Sequence, residues 1–177
     1  MKWLMALFSL ALIAPYHSVC GQADTAQHWN LLLTAAYSIR YPPDWTANTT
    51  GVGGTSFALF APTASHKAVF RQNINLVIKD VSADTVTLDE LTNVNVEMLK
   101  AAFSNFSIIS SKRQKDAIGE YQQMVYEFQQ QGYFLKQLQE YRIIGGKAYY
   151  LTFTSLRSRY ETYLDVVEAV FGSFQLR

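Results

Sequence analysis

The residues that could do chemistry in this chain are few and scattered. A metal site needs several ligands at workable spacing. Beyond the N-terminal segment the histidines are His28 and His66, which sit far apart without neighbouring ligands. Asp80 and Asp84 lie close together but lack the oxygen-rich, glycine-bearing loop that wraps calcium. Covalent catalysis wants a Ser or Cys activated by a base, yet there is no Gly-x-Ser-x-Gly elbow, and the single cysteine is Cys20. Gly51-Val-Gly-Gly54 lacks the Lys-Ser/Thr of a phosphate loop and reads as a hairpin connection. Asp89-Glu90 resembles a carboxylate pair, but its place at a helix start accounts for it. No cofactor and no catalytic residue is expected. Two features could carry binding. Lys112-Arg113-Gln114-Lys115 concentrates positive charge at one strand end, either a docking patch or an edge strand guarded by lysine against aggregation. Trp45, after Pro42-Pro43, either lines a ligand cleft or plugs the end of the core.

The N-terminus carries its own chemistry. Met1-Lys2 is a short positive start, Trp3–Ala14 is apolar apart from Ser9, and Pro15 ends the run. Such a run of about 12 residues is too short for a hydrocarbon core of about 30 Å, so residues 1–21 read as a secretory signal peptide. Val19 and Gly21 are the small residues expected before a cut at Gln22. The alternative is lipidation of Cys20, although His17 and Val19 fit that recognition box poorly. Processing at Gln22 leaves no thiol, so an exported domain must rely on its core alone. A chain of about 156 residues can do so, since it buries about 68–70% of its unfolded surface.

Without Lys2 the basic and acidic residues number 14 each. That balance argues against nucleic acid or an anionic membrane as the partner, because both reward a positive field. Membrane attachment is expected only through a lipid on Cys20.

The elements that must position any site follow from hydrophobic period. One domain is expected over residues 28–177. Tyr37–Tyr41 alternates as a half-buried strand ended by Pro42-Pro43, with 29–34 as a partner strand. Thr46–Gly54 reads as a polar connection, and Ser56–Ala61 and Phe70–Val81 as strands. Thr87 and Glu90 form a capping box that opens a helix with Leu88, Leu91, Met98, Leu99 and Ala102 on its apolar side. Phe106–Lys115, Glu120–Gln130, Phe134–Ile144 and Ala148–Ser155 form a meander, turned by Gly132 and by Gly145-Gly146. A second box, Ser158 and Glu161, opens a last helix whose stripe is Tyr160, Tyr163, Leu164, Val167, Val170, Phe171 and Phe174. Asn48-Thr49-Thr50 and Asn105-Phe106-Ser107 match glycosylation sequons, which matter only in a secretory pathway that glycosylates.

Tyr37-Ser-Ile-Arg-Tyr-Pro-Pro-Asp-Trp45, the capped helix from Thr87, the hairpin from Gly145 to Phe153 and the closing helix to Phe174 resemble, in order and spacing, the PsbP-like family. The resemblance spans about residues 28–176. It implies an α+β fold, a central antiparallel sheet with helices against both faces. Characterised relatives are docking proteins: photosynthetic members steady the oxygen-evolving centre, and a nuclear relative binds a small GTPase. This chain lacks the long basic N-terminal arm and the ion-binding histidine pair of the photosynthetic members, so no family residue is carried over. The expectation is an exported, non-catalytic accessory protein that docks on another exported or membrane protein. The alternatives are a small hydrolase with dispersed acid–base residues and a carrier of a small apolar ligand.

Overall fold

Alternating apolar and polar residues write most of this chain into strands. The computed structural model describes residues 28–63, 70–83 and 85–177. The segment 1–21, Cys20, Gly21, Gln22, His66 and Asp84 lie outside the described residues. In chain order the elements are β1 (Asn30–Leu33), β2 (Tyr37–Tyr41), β3 (Thr46–Asn48), β4 (Phe57–Phe60) and β5 (Asn73–Asp80). Then come α1 (Leu88–Ala102), β6 (Ser104–Lys115), β7 (Glu120–Gln130), β8 (Tyr133–Ile144), β9 (Lys147–Leu156), α2 (Tyr160–Gly172) and β10 (Gln175–Leu176).

The strands build a large antiparallel sheet of seven, in the order β3-β4-β5-β9-β8-β7-β6, and a small sheet in the order β1-β2-β10. Short turns hold the long meander in register. Gly145 and Gly146 both take positive φ (56° and 72°), the conformation a two-residue hairpin loop demands. Gln131 and Gly132 do the same between β7 and β8, at 49° and 83°.

β9 sits in the middle of the large sheet and is buried along eight successive residues. Its neighbours alternate. Tyr150 stacks on Tyr141 and clusters with Leu91 of α1, whereas Leu151 and Phe153 cluster with Val167, Val170 and Phe171 of α2. Each fully buried aliphatic or aromatic side chain of this kind contributes about 1.5–3 kcal/mol. A third cluster gathers Met124, Tyr126 and Phe128 of β7 with Leu99 and Phe103 at the end of α1.

Four details differ from expectation. The polar connection after Trp45 contains β3, which pairs with β4. The strand expected from Phe70 begins at Asn73. Met98 is 56% exposed, although it lies only about 20° of helical phase from buried Leu91. Asn95, close in helical phase to Leu88 and Leu99, meets the sheet through its amide, which donates to Gln139 at 2.8 Å. The capping box of α1 is present, with the Glu90 amide donating to Thr87 Oγ1 and the Thr87 amide to Glu90 Oε2. The second box does not form. Residues Arg157–Arg159 make a tight 3-10 turn, so the helix cap falls on Arg159 without a side-chain hydrogen bond. Glu161 turns instead to Lys136, 2.9 Å away, whose ammonium lies 4.2 Å over the Tyr160 ring.

A candidate binding cleft between the sheet and the last helix

The period of β8 decides which of its side chains meet α2. Leu138 belongs to the cluster that holds Val167, Val170 and Phe171, and residues two apart on a strand share a face. Glu140 and Arg142 therefore project on the side of Leu138, into a cleft of ≈ 310 Å³ closed by the C-terminal half of α2. Leu138, Leu151, Phe171 and Phe174 supply its apolar walls, and Glu168 of α2 brings a further carboxylate to it.

Arg142 is the most constrained group there, with its side chain only 7% exposed. Its Nη1 and Nη2 donate to the two Asp116 oxygens at 2.9 and 2.8 Å, a planar bidentate pair. Tyr121 stacks beneath, its ring centre 4.7 Å from the guanidinium carbon. Asp116 Oδ1 also accepts the amides of Ile118 and Gly119, so one carboxylate both closes the β6–β7 turn and neutralises the buried arginine. The Arg142 hydrogen bonds, helped by those amides, hold the Asp116 carboxyl below its ordinary range.

Glu140 is in the opposite condition. Burial pushes its carboxyl up, and the charges of Asp116 and Glu168 push the same way. The Gln123 amide, donating to Oε1 at 2.9 Å, and the charge of Arg142 offset part of this. Among the described residues the lining thus carries three carboxylates against one guanidinium, and that guanidinium is already engaged. Among the described residues no group of three acidic, His or Cys side chains could hold a metal ion. The lining includes, among the described residues, no Ser, Thr, Cys, His or Lys. This arrangement can bind a cationic or hydrogen-bond-donating group, and Glu140 can hold or release a proton.

The residues singled out in the sequence lie elsewhere. Trp45 is buried to 6% exposure in the main core, edge-on to Tyr163 at 6.2 Å. Lys112, Arg113 and Lys115 lie on β6, an edge strand of the large sheet. Strand alternation separates them, placing Lys112 on the opposite face from Arg113 and Lys115. Arg113 pairs with Asp89 of α1 and lies 3.7 Å from Glu120. His28 is exposed, near the start of the described residues. The apolar stripe of α2 is occupied by the protein's own sheet, as Val167 and Val170 are fully buried.

Asp116, Glu140 and Arg142 were not picked out by sequence reasoning. One signal was available: in Leu138-Gln-Glu140-Tyr-Arg142 the charged residues keep the parity of a core leucine. A second polar array lies beneath α1. Gln137 donates to Thr154 at 2.7 Å and accepts from the Tyr126 hydroxyl, and Gln139 donates to Thr152 at 3.1 Å. Among the described residues no buried side-chain polar atom lacks a partner, so this row is satisfied rather than poised.

No protein-family model matches the sequence, and no curated protein matches it. Solved structures do. Cyanobacterial PsbP (CyanoP) from Synechocystis superposes with a TM-score of 0.64 at 17% identity, over 93% of this chain and all of that one. LpqN of Mycobacterium tuberculosis, involved in cell envelope biogenesis, gives 0.64 at 11% identity, over 79% of this chain and 82% of its own. PA94 of Pseudomonas aeruginosa, a protein of unknown function, gives 0.61 at 13% identity over 85% and 98%. Likeness at such low identity speaks to architecture alone, and on that footing the chain has the PsbP-like fold.

Proposed function

We propose that this protein is an exported, non-catalytic accessory protein that docks on another protein of the cell envelope, using the face that carries the Glu140–Arg142 cleft. The observation that carries the reading is the state of the cleft's charges. Its one arginine is saturated by Asp116 and Tyr121, and among the described residues no Ser, Thr, Cys, His or Lys lines it, which suits recognition better than turnover. The involvement of LpqN in cell envelope biogenesis is in keeping with it. Residues 1–21 would direct export, with a cut before Gln22, or with a lipid on Cys20 in the alternative route. Intact mass of the mature protein separates these outcomes. Residues 28–177 form one domain in this reading, an α/β/α sandwich in which α1 and α2 serve opposite faces of the large sheet, supported by the alternation along β9.

Docking is tested by placing a photo-reactive residue at exposed Ala169, next to Glu168, and in a separate variant at exposed Val94 on α1. In intact cells a defined crosslinked adduct is expected from position 169 and not from 94. Absence of any defined adduct, or the same adducts from both, refutes docking through this face. A second reading, a small hydrolase, is favoured by one observation: Glu140 is held toward its protonated form in a cleft shared with Glu168, a difference in environment that acid–base pairs exploit. Turnover of nitrophenyl esters or glycosides that disappears in Glu140→Gln would establish it and displace the docking reading.

A further inference from the structure

We propose that the cleft is a lysine socket, in which a lysine side chain of the docked partner sets its ammonium between Glu140 and Glu168. The inference rests on the docking reading and adds the chemistry of the group that enters. Among the described residues neither Glu140 nor Glu168 has an ion pair within 4.0 Å. The one basic side chain of the lining, Arg142, is held by both oxygens of Asp116. Two carboxylates therefore face the cleft without an ion-pair partner of their own. Glu140 is partly buried and accepts from the Gln123 amide, and burying a carboxylate without a charge to match it is costly.

The shape favours an alkyl ammonium. Leu138, Leu151, Phe171 and Phe174 line the same space, and a lysine lays its methylene stem on apolar surface while its head keeps polar company. A lysine fits better than an arginine for a geometrical reason. A guanidinium seeks both oxygens of one carboxylate in a plane, whereas the two carboxylates here come from different elements, Glu140 on β8 and Glu168 on α2. An ammonium is a compact charge with three donors that can reach two separate carboxylates. Its positive charge also offsets the burial and like-charge costs that hold the Glu140 carboxyl above its ordinary range.

The experiment uses the full chain and two probes, Nα-acetyl-lysine N-methylamide and the same molecule acetylated at Nζ. Binding is followed by NMR through the Gln123 side-chain amide and the Gly172 backbone amide. The lysine probe is expected to shift both signals saturably, with the Nζ-acetyl probe weaker by about tenfold or more, the loss of one charge-assisted contact. Glu168→Gln, an exposed position that the fold tolerates, should weaken the lysine probe by a similar factor, and Glu140→Gln likewise if its melting curve is intact. Glu97→Gln, on α1 and paired to Lys100, should change nothing. Equal binding of the two probes, no shift at either amide, or full affinity in Glu168→Gln overturns the socket. Docking fails separately: a defined adduct from position 169 with indifferent lysine probes keeps docking and removes the socket. A discriminated lysine probe without any adduct removes docking instead.

Discussion

Exchanging Asp116 for Asn tests whether the Arg142–Asp116 pair is structural, as its geometry indicates. Asn keeps one oxygen for the Ile118 and Gly119 amides but withdraws the charge from a guanidinium that is 7% exposed. Removing one member of a fully buried ion pair costs about 3–5 kcal/mol. Asp116 is itself 40% exposed, and water can reach the site, so about 2–3 kcal/mol is expected. Arg142→Met should cost less, about 1–2 kcal/mol, since the freed carboxylate keeps its turn amides and partial solvation. The double variant should lose less than the sum of the two, with a coupling of about 1.5–2.5 kcal/mol, because a buried charge without a partner no longer exists. Urea denaturation of the four proteins at neutral pH gives the cycle. The corresponding melting shift for Asp116→Asn is about 4–12 °C at this size. Additivity within about 0.5 kcal/mol would refute the reasoning and leave Arg142 free to meet a ligand.

Helix caps, a hairpin and a titration give further tests. Thr87→Ala should cost about 1 kcal/mol in urea unfolding, whereas Ser158→Ala, without a capping bond, should stay within about 0.5 kcal/mol. An equal loss at the two positions would contradict the assigned helix starts. Gly146→Ala should destabilise by about 1–3 kcal/mol, because its φ is +72° and the added Cβ would lie 2.9 Å from Ser82 Cβ. An unchanged melting temperature would rule that close approach out. For pH, burial raises the Glu140 carboxyl, so the folded protein keeps that proton at pH values where the unfolded chain has released it. Its contribution to stability therefore falls as pH rises above the ordinary value of 4.5. Asp116, lowered by Arg142, acts in the other sense and withdraws stability as pH drops below 3.8. Urea midpoints of the wild type and Glu140→Gln across pH should show the variant with a flatter upper limb; parallel profiles would sink the assignment.

Much of the architecture was legible because it is local. The Thr87–Glu90 box, the Gly145-Gly146 turn and the alternation of Met124, Tyr126 and Phe128 each need only a few neighbouring residues to act. Helix two was legible as a stripe but not at its start, since a 3-10 turn moved the cap from Ser158 to Arg159. Met98 shares the helical phase of buried Leu91 to within about 20°, so period alone assigned it to the apolar side, and only contact with the sheet decides which positions of that side are covered.

The candidate site divides the same way. Composition and pattern alone gave a sheet-rich reading, a near-neutral charge balance, an apolar N-terminal run, few histidines, one cysteine and no Gly-x-Ser-x-Gly elbow. They could single out Lys112, Arg113 and Lys115 because those residues are adjacent in the chain, yet strand alternation sends Lys112 and Arg113 to opposite faces. Glu140 and Glu168 are separated by a strand, a turn and most of a helix, and Asp116 reaches Arg142 across 26 residues. Only the antiparallel register of β7, β8 and β9, and the angle at which α2 lies across them, brings those charges into one cleft. Sequence records each residue's chemistry and its local period. Which charges share a desolvated space, and so which are matched and which are left without a partner, is decided by long-range packing.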